Sequence, residues 1–377
     1  MGTIRLTMGQ AVIRYLAAQK TRVSGEVRPL VPAVWSIFGH GNVAGLGEAL
    51  YQQRAVLPTL RAHNEQAMTL AAIAFAKQKR RRQFMACTTS IGPGATNMVT
   101  AAAVAHANRL PVLLLPGDTF ATRAPDPVLQ QIENFNDPNV TANDCFKPVS
   151  RYWDRINRPE QLLTSLPRAL QVLTDPAGCG PVTLCMPQDV QTMAYDYPES
   201  FFQERVHELT RPGPDHGQLE HALQAMRSAR QPLIVAGGGV HYSQACETLA
   251  EFATTFGVPV AETQAGKGAL TWDHPLAVGG IGVTGSASAN ELATDADLIL
   301  AIGTRLQDFT TASRTLFERP GVTILGLNNC AFDTGKHHAV PLQADARRGL
   351  EELSGALSGW HSADGWTEHA VELKTAW

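Results

Sequence analysis

The feature that most narrows the possible folds is a unit repeated along the chain: a short apolar run, a Gly-rich turn, then a helix-like stretch. Residues 34–38 (VWSIF) lead into GHGN, 83–87 (QFMAC) into TTSIGPGATN, 111–115 (PVLLL) into PGDTF, and 181–186 (PVTLCM) into PQDV. In the second half, 232–236 (PLIVA) lead into GGGV, 258–262 (VPVAE) into TQAGKG, 297–302 (DLILAI) into GTR, and 322–327 (VTILGL) into NN. A strand solvated on one face alternates apolar with polar residues, so runs without alternation belong to strands buried on both faces. Interleaved with helices, they predict an α/β chain of two doubly wound, mainly parallel sheets. Ligands of such sheets bind in the loops at the carboxyl ends of the strands.

A length of 377 residues fits two or three domains. Residues 191–217 carry prolines, charges and aromatics with no clean period and read as a linker. The chain then divides into 1–190, the linker 191–217, 218–358, and 359–377. The last stretch holds Trp360, Trp366 and Trp377 but no strand pattern, and reads as the start of a further linker. No repeat of the solenoid type is present. The segment from Thr7 predicts an amphipathic helix with Ala11, Val12, Tyr15 and Leu16 inward.

Composition removes several function classes. A net charge of −3 offers nucleic acid no electrostatic footprint. The one basic run, Lys77 to Arg82, suits a helix C-terminus. Charged residues make up 17%, below the roughly 25% of an average domain, which suggests close-packed layers and a large subunit interface. The six cysteines form no CxxC pair and the twelve histidines no HExxH, so neither a disulfide framework nor a structural metal is expected. The N-terminus lacks the pattern of a signal peptide, and no apolar run reaches the roughly 18 residues of a membrane span. The expectation is a soluble, cytoplasmic protein with no membrane or nucleic-acid partner.

Residues 61–78 (RAHNEQAMTLAAIAFAKQ) predict a well-buried, Ala-rich helix capped by Asn64, with Met68, Ala71, Ala72 and Phe75 on one face. Glu65 falls in its first turn, where an acid can simply stabilise its own helix. Residues 39–44 (GHGNVA) fit G-x-G-x-x-A, but the acid expected about 20 residues on, at the end of a second strand, is missing. The GGGVHYSQA turn at 237–245 is equally unspecific. The turn at 90–97 (SIGPGATN) carries more information: glycines around a proline let a flat ligand approach the backbone, and Asn97 opens the next helix.

In the order FGHGN, RAHNEQ, TSIGPGATNMVTAAAVAHANRLPVLLLPGD, the first half resembles the pyrimidine-binding domain of thiamine-diphosphate enzymes of the acetolactate synthase and pyruvate decarboxylase type. The second half resembles their central, Rossmann-like domain through PLIVAGGGVHYSQA, GVPVAETQAGKGAL, HPLAVGGIG and ADLILAIGTRLQDF. Several runs, among them FGHGNVAGLG, LLLPGDTFATRAPDPVLQQIE and RYWDRINRPEQL, are most similar to members that open a cyclic 1,2-dione by hydrolysis in inositol catabolism. The resemblance implies that Glu65 is catalytic: it bonds a ring nitrogen of the cofactor's aminopyrimidine. An apolar cleft would favour its neutral form. Gly92, Pro93 and Asn97 would complete the cofactor site. His40, Asn42 and Gln130 would face a polyhydroxylated substrate, with Gln131 nearby. The alternative for His40 and Asn42 is that they bond their own loop backbone.

The same resemblance implies a homodimer or homotetramer with the active site between subunits. The diphosphate and its Mg2+ would be held by a further domain marked by a GDG segment, which this sequence does not contain. The expectation is therefore of the first two domains of a longer enzyme, inactive alone. The alternatives are a 2-keto acid carboligase, a non-catalytic subunit on the same scaffold, and a nicotinamide oxidoreductase using the two Gly-rich turns. The GKGAL and GTRLQD segments, where some relatives hold FAD, are expected to be structural.

Overall fold

The computed structural model describes residues 2–377, which form two compact units, residues 2–209 and 210–377. In the first, β1 (Thr3–Thr7) runs directly into α1 (Met8–Ala18). Thr7 makes the switch: its Oγ1 accepts from the Gln10 amide at 3.2 Å, and Gln10 Oε1 accepts from the Thr7 amide at 3.0 Å. This reciprocal capping satisfies two donors that a helix start leaves open. Ala11, Val12, Tyr15 and Leu16 are buried, as their spacing predicts.

A hairpin of β2 (Gln19–Val23) and β3 (Glu26–Pro29) precedes the parallel core. The core continues through β4 (Val34–Ser36), α2 (Glu48–Gln52), β5 (Thr59–Arg61), α3 (Glu65–Gln78) and β6 (Ala86–Thr89). It closes with α4 (Pro93–Thr96), α5 (Val99–Asn108), β7 (Val112–Asp118), β8 (Tyr152–Arg155), α6 (Leu162–Thr174) and β9 (Pro181–Pro187). The sheet order is β5-β4-β6-β7-β9-β8, with every pair parallel. β7 and β9 are buried along their whole length, which is why their sequences show no alternation. Burying each leucine of Leu113–Leu115 is worth about 1.5–3 kcal/mol.

Residues 191–209, read above as linker, are instead part of this unit. β10 (Ala194–Pro198) pairs antiparallel with β1, from Thr3 opposite Pro198 to Thr7 opposite Ala194. β11 (Arg205–His207) lies parallel to β2. The aromatics that obscured the period are the apolar face of this segment: Tyr197 is fully buried, packs against Phe201 and Phe202, and donates its hydroxyl to the Pro159 carbonyl at 3.0 Å. The helix predicted at 61–78 exists, but only part of it is buried. Met68, Thr69, Ala72, Ile73 and Ala76 face the core, whereas Ala71 is exposed together with Ala67, Leu70 and Ala74. The alanines thus form a two-sided helix, one side packed and one open.

The second unit runs α7 (His216–Ser228), β12 (Pro232–Ala236), α8 (Gly238–Tyr242), α9 (Cys246–Phe256), β13 (Val260–Glu262), β14 (Ala277–Gly280) and α10 (Ala287–Asp295). It continues with β15 (Leu298–Ile302), α11 (Asp308–Thr311), β16 (Thr323–Asn328), α12 (Ala331–Thr334), β17 (Val340–Gln343), α13 (Ala346–Ala356) and α14 (Asp364–Ala376). Its all-parallel order is β14-β13-β12-β15-β16-β17. Counted within the unit this is 3-2-1-4-5-6, the dinucleotide-fold order. α14 corrects the linker reading of 359–377. Trp366 is buried and donates its indole N–H to the Pro232 carbonyl at 2.9 Å, fastening the helix to the first strand of the sheet.

Candidate functional site

In the first sheet the chain passes from β4 to β5 on one side and then returns to β6 on the other. The crevice at such a reversal, beyond the carboxyl ends of the two diverging strands, is where open α/β sheets take ligands. The loops there are GHGN after β4 and SIGPG after β6. α3 starts with Glu65 four residues after β5.

Glu65 is the first residue of α3, with Asn64 as N-cap accepting from the Ala67 amide at 2.9 Å. Asn97, at the end of α4, donates its side-chain N–H to Glu65 Oε2 at 2.7 Å. This contact joins two of the expected site residues. Glu65 Oε1 bonds no protein group among the described residues. It faces Gly94, where an added β-carbon would lie 3.3 Å from it and 3.0 Å from Thr89 Oγ1. Thr89 is fully buried and its hydroxyl has no partner among the described residues, a polar feature beside the carboxylate that the residue pattern did not reveal. The Ala-lined cleft expected around Glu65 is not closed by this chain, because the carboxylate is half-buried and the outer side of α3 is open.

Gly92 has φ of +61°, and an added β-carbon would stand 2.0 Å from the Gln130 carbonyl oxygen. Only glycine meets both conditions, and Pro93 then starts α4 with a φ already suited to a helix. Gln130 is therefore at the site through its backbone, while its side chain is exposed. Gln131 turns back on its own loop, its Oε1 accepting from the Val128 amide at 2.9 Å. His40 reaches the same loop, Nε2 to the Leu129 carbonyl at 2.8 Å. A carbonyl only accepts, so Nε2 carries the hydrogen and Nδ1 is left as the acceptor.

Asn42 is corrected. It is 1% exposed and all its bonds are internal: Oδ1 accepts from the Gly39 amide at 2.9 Å, and Nδ2 donates to the Ile37 carbonyl and to Thr88 Oγ1 at 3.1 and 3.3 Å. It braces the GHGN turn. The buried amide is cheaper to satisfy within the turn than to hold open.

A buried charge cluster at the ends of β7 and β8 also escaped the sequence reading. Arg155 donates to Asp118 at 2.8 Å and to Asp144 at 2.7 Å, with Asp118 only 2% exposed. Burial alone would raise the Asp144 pKa. The bonds it accepts from Lys147, the Thr141 amide and Arg155 outweigh this and hold it at about 2. Of this cluster Arg155 lines a cavity of about 590 Å³, together with residues of the loop that follows β7.

In the second unit the reversal lies between β12 and β15, but its loops close on each other. Gly239 donates its amide to the Gly303 carbonyl at 3.0 Å, and a β-carbon on Gly239 would lie 2.5 Å from Gly303 Cα. The two turns are thus in direct backbone contact. Glu291, Asp295 and His369 bring ligand atoms within 4.8 Å of one another among the described residues of this unit, and exposed acidic groups commonly cluster in this way. No described helix is long and apolar enough to cross a membrane.

Comparison with known proteins agrees with this geometry. Residues 31–137 match the family model for the thiamine pyrophosphate enzyme N-terminal TPP binding domain, and residues 219–353 match that for the central domain. A protein of Clostridium tetani named 3D-(3,5/4)-trihydroxycyclohexane-1,2-dione hydrolase is 48% identical over all 377 residues. Proteins of the same name are 52% identical over 377 residues in Geobacillus thermodenitrificans and 49% over 374 in Clostridium perfringens. The chain spans 58% of the length of each of these relatives, while they cover 99–100% of it. The chain belongs to the thiamine pyrophosphate enzymes and carries their N-terminal TPP-binding domain and their central domain.

Proposed function

We propose that the chain serves a thiamine-diphosphate-dependent hydrolase that opens trihydroxycyclohexane-1,2-dione between its carbonyl carbons, giving a deoxy-glucuronate in inositol catabolism. The observation that carries this reading is the identity of 48–52% along essentially the whole chain to proteins bearing that name. The site supports it independently. A carboxylate with one oxygen anchored and the other free, next to a glycine turn that admits a flat ring, fits the cofactor's aminopyrimidine. Thiamine diphosphate, when bound, supplies a carbon nucleophile and an electron sink for breaking a bond between two carbonyls.

The protein's own part follows from the hydrogen bonds. Asn97 occupies Glu65 Oε2, so a proton held by this carboxyl resides on Oε1, the oxygen open to a ring nitrogen. Gly94 keeps a side chain out of the approach to Oε1, and Gly92 and Pro93 shape the turn that carries it. His40, fixed through Nε2, offers Nδ1 as an acceptor for a substrate hydroxyl. The Mg2+ that accompanies the diphosphate is assigned to no residue of this chain, and the active site is proposed to form between subunits of a homo-oligomer in the cytoplasm. The test is dione consumption by the full-length enzyme and its Glu65→Gln variant. Loss of proton transfer is expected to lower kcat by at least about a hundredfold. Activity within threefold of the parent refutes the role of Glu65, and turnover of pyruvate in place of the dione refutes the substrate.

A further inference from the structure

We infer that Thr89 is a positioning residue for the Glu65 carboxyl, its hydroxyl held as the donor for Oε1 when that oxygen carries charge; the inference rests on the role proposed for Glu65 above. Thr89 ends β6, is fully buried, and its hydroxyl has no partner among the described residues. Valine has the same shape and would fill the position without stranding a polar group, so the hydroxyl calls for a use. One lies beside it. A β-carbon on Gly94 would stand 3.0 Å from Thr89 Oγ1 and 3.3 Å from Glu65 Oε1, so both oxygens border the space that this glycine leaves open.

The register of helix on strand explains the meeting. α3 connects β5 to β6, which lie parallel in the sheet, and so runs opposite to them. Cys87 and Thr89 are two apart on β6 and point to the same face. Thr69 of α3 meets Cys87 through a side-chain hydrogen bond. Glu65 lies four residues before Thr69 and is tied to it, the Thr69 hydroxyl donating to the Glu65 carbonyl at 2.8 Å. Four helical residues advance about 6 Å and two strand residues about 6.6 Å, so Glu65 falls over Thr89 as Thr69 falls over Cys87. Cys87 stays a neutral thiol, burial having pushed its pKa up to about 12, and adds no charge to this face.

What the pairing does follows from where charge appears. The Asn97 side chain already occupies Oε2 at 2.7 Å. Proton transfer from Oε1 to a ring nitrogen breaks an O–H bond, forms an N–H bond and leaves the negative charge on this carboxylate. A hydroxyl donates more strongly to an ionised oxygen than to a neutral one. The last torsion of a glutamate is soft, so the carboxylate turns towards Thr89 at little cost. Asn97 and Thr89 then hold one oxygen each.

The experiment pairs a spectroscopic reading on the 377-residue chain with kinetics of the full-length enzyme. With glutamate side-chain carboxyls labelled in 13C, the Glu65 signal is assigned by its loss in Glu65→Gln. At one fixed pH that signal is expected to move in Thr89→Val and to keep its parent position in Thr89→Ser, which retains the hydroxyl. Thr89→Ala, which cannot crowd the position, carries the same expectation as the valine variant. In the full-length enzyme Thr89→Val should lower kcat about tenfold, the loss of one hydrogen bond to a charged group. KM should stay within about twofold, because Thr89 does not touch the substrate, and Thr89→Ser should restore kcat to within about threefold of the parent. An unmoved Glu65 signal in the valine and alanine variants overturns the inference. So does a serine variant as impaired as the valine one, which would make packing the cause, and so does an effect confined to KM. If Glu65→Gln abolishes turnover but Thr89→Val leaves the Glu65 signal in place, Thr89 has no such role and the proposed function stands. If Thr89→Val moves the signal but Glu65→Gln keeps full activity, the contact is real and the role of Glu65 fails.

Discussion

Replacing Asp144 by Asn tests the buried charge cluster. Asp144 is 17% exposed on its side chain, bonded to Arg155 at 2.7 Å and Lys147 at 2.6 Å, and its pKa falls from 3.8 to about 2 on folding. At roughly 1.4 kcal/mol for each tenfold change in proton affinity, this is worth about 2 kcal/mol. Because the folded pKa is depressed, that stability is present above about pH 4 and is lost as the pH falls towards 2. An asparagine can still accept from the Thr141 amide but carries no charge for either cation. The variant should therefore be about 2 kcal/mol less stable than the parent at neutral pH, and the two should converge near pH 2. Urea melts across that range, followed by tryptophan fluorescence, measure the difference directly while other carboxylates cancel. A gap of the same size at both ends of the range would show that ionisation of Asp144 is not its source, and the reasoning would fail.

Three further outcomes are expected. Asn42→Ala removes a buried amide with three internal bonds and should cost about 2–3 kcal/mol by thermal melt, while leaving the KM of the full-length enzyme unchanged; a raised KM with unchanged stability would restore Asn42 to the substrate. Gly92→Ala sets a methyl 2.0 Å from the Gln130 carbonyl at a positive φ and should displace that loop, seen as faster proteolysis between residues 120 and 140; unchanged cleavage contradicts the packing. Cys246 lies 3.6 Å from His241 Nδ1, whose Nε2 faces the carbonyls of Gly266 and Lys267, so the imidazole can take the thiol proton. Burial pushes Cys87 up to about 12 and raises Cys179 and Cys185, and burial together with the Asp144 charge raises Cys145. Iodoacetamide with peptide mass mapping should find Cys246 labelled ahead of those four, and earlier labelling of Cys145 would count against the pairing.

The central strands of both sheets were readable from the residues, since burial on two faces leaves an uninterrupted apolar run, as in Leu113–Leu115 and Leu298–Ile302. The two caps at Thr7 and Asn64 were equally local and equally legible. Edge strands were not. β5 is three residues long, and β8 carries Asp154, which accepts from Tyr152 and Ser165, and Arg155, whose charge serves the cluster described above rather than a strand pattern. The fold of 191–209 depends on partners nearly two hundred residues away, and α14 on a single tryptophan bond to Pro232, neither of which leaves a local trace. Within the site, family resemblance singled out Glu65 and Asn97 separately but not the hydrogen bond between them, and it left two orientations open for Asn42, because residue type does not reveal which way an amide points.

The pairing of β1 with β10 bears on how the chain is made. Residues 3–7 are synthesised well before the strand that completes them, which ends at Pro198. At roughly 5–20 residues per second, the amino-terminal strand waits on the order of 10–40 s for its mate. During synthesis it is an unzipped edge, and a slow ribosome or a truncated message would leave it so.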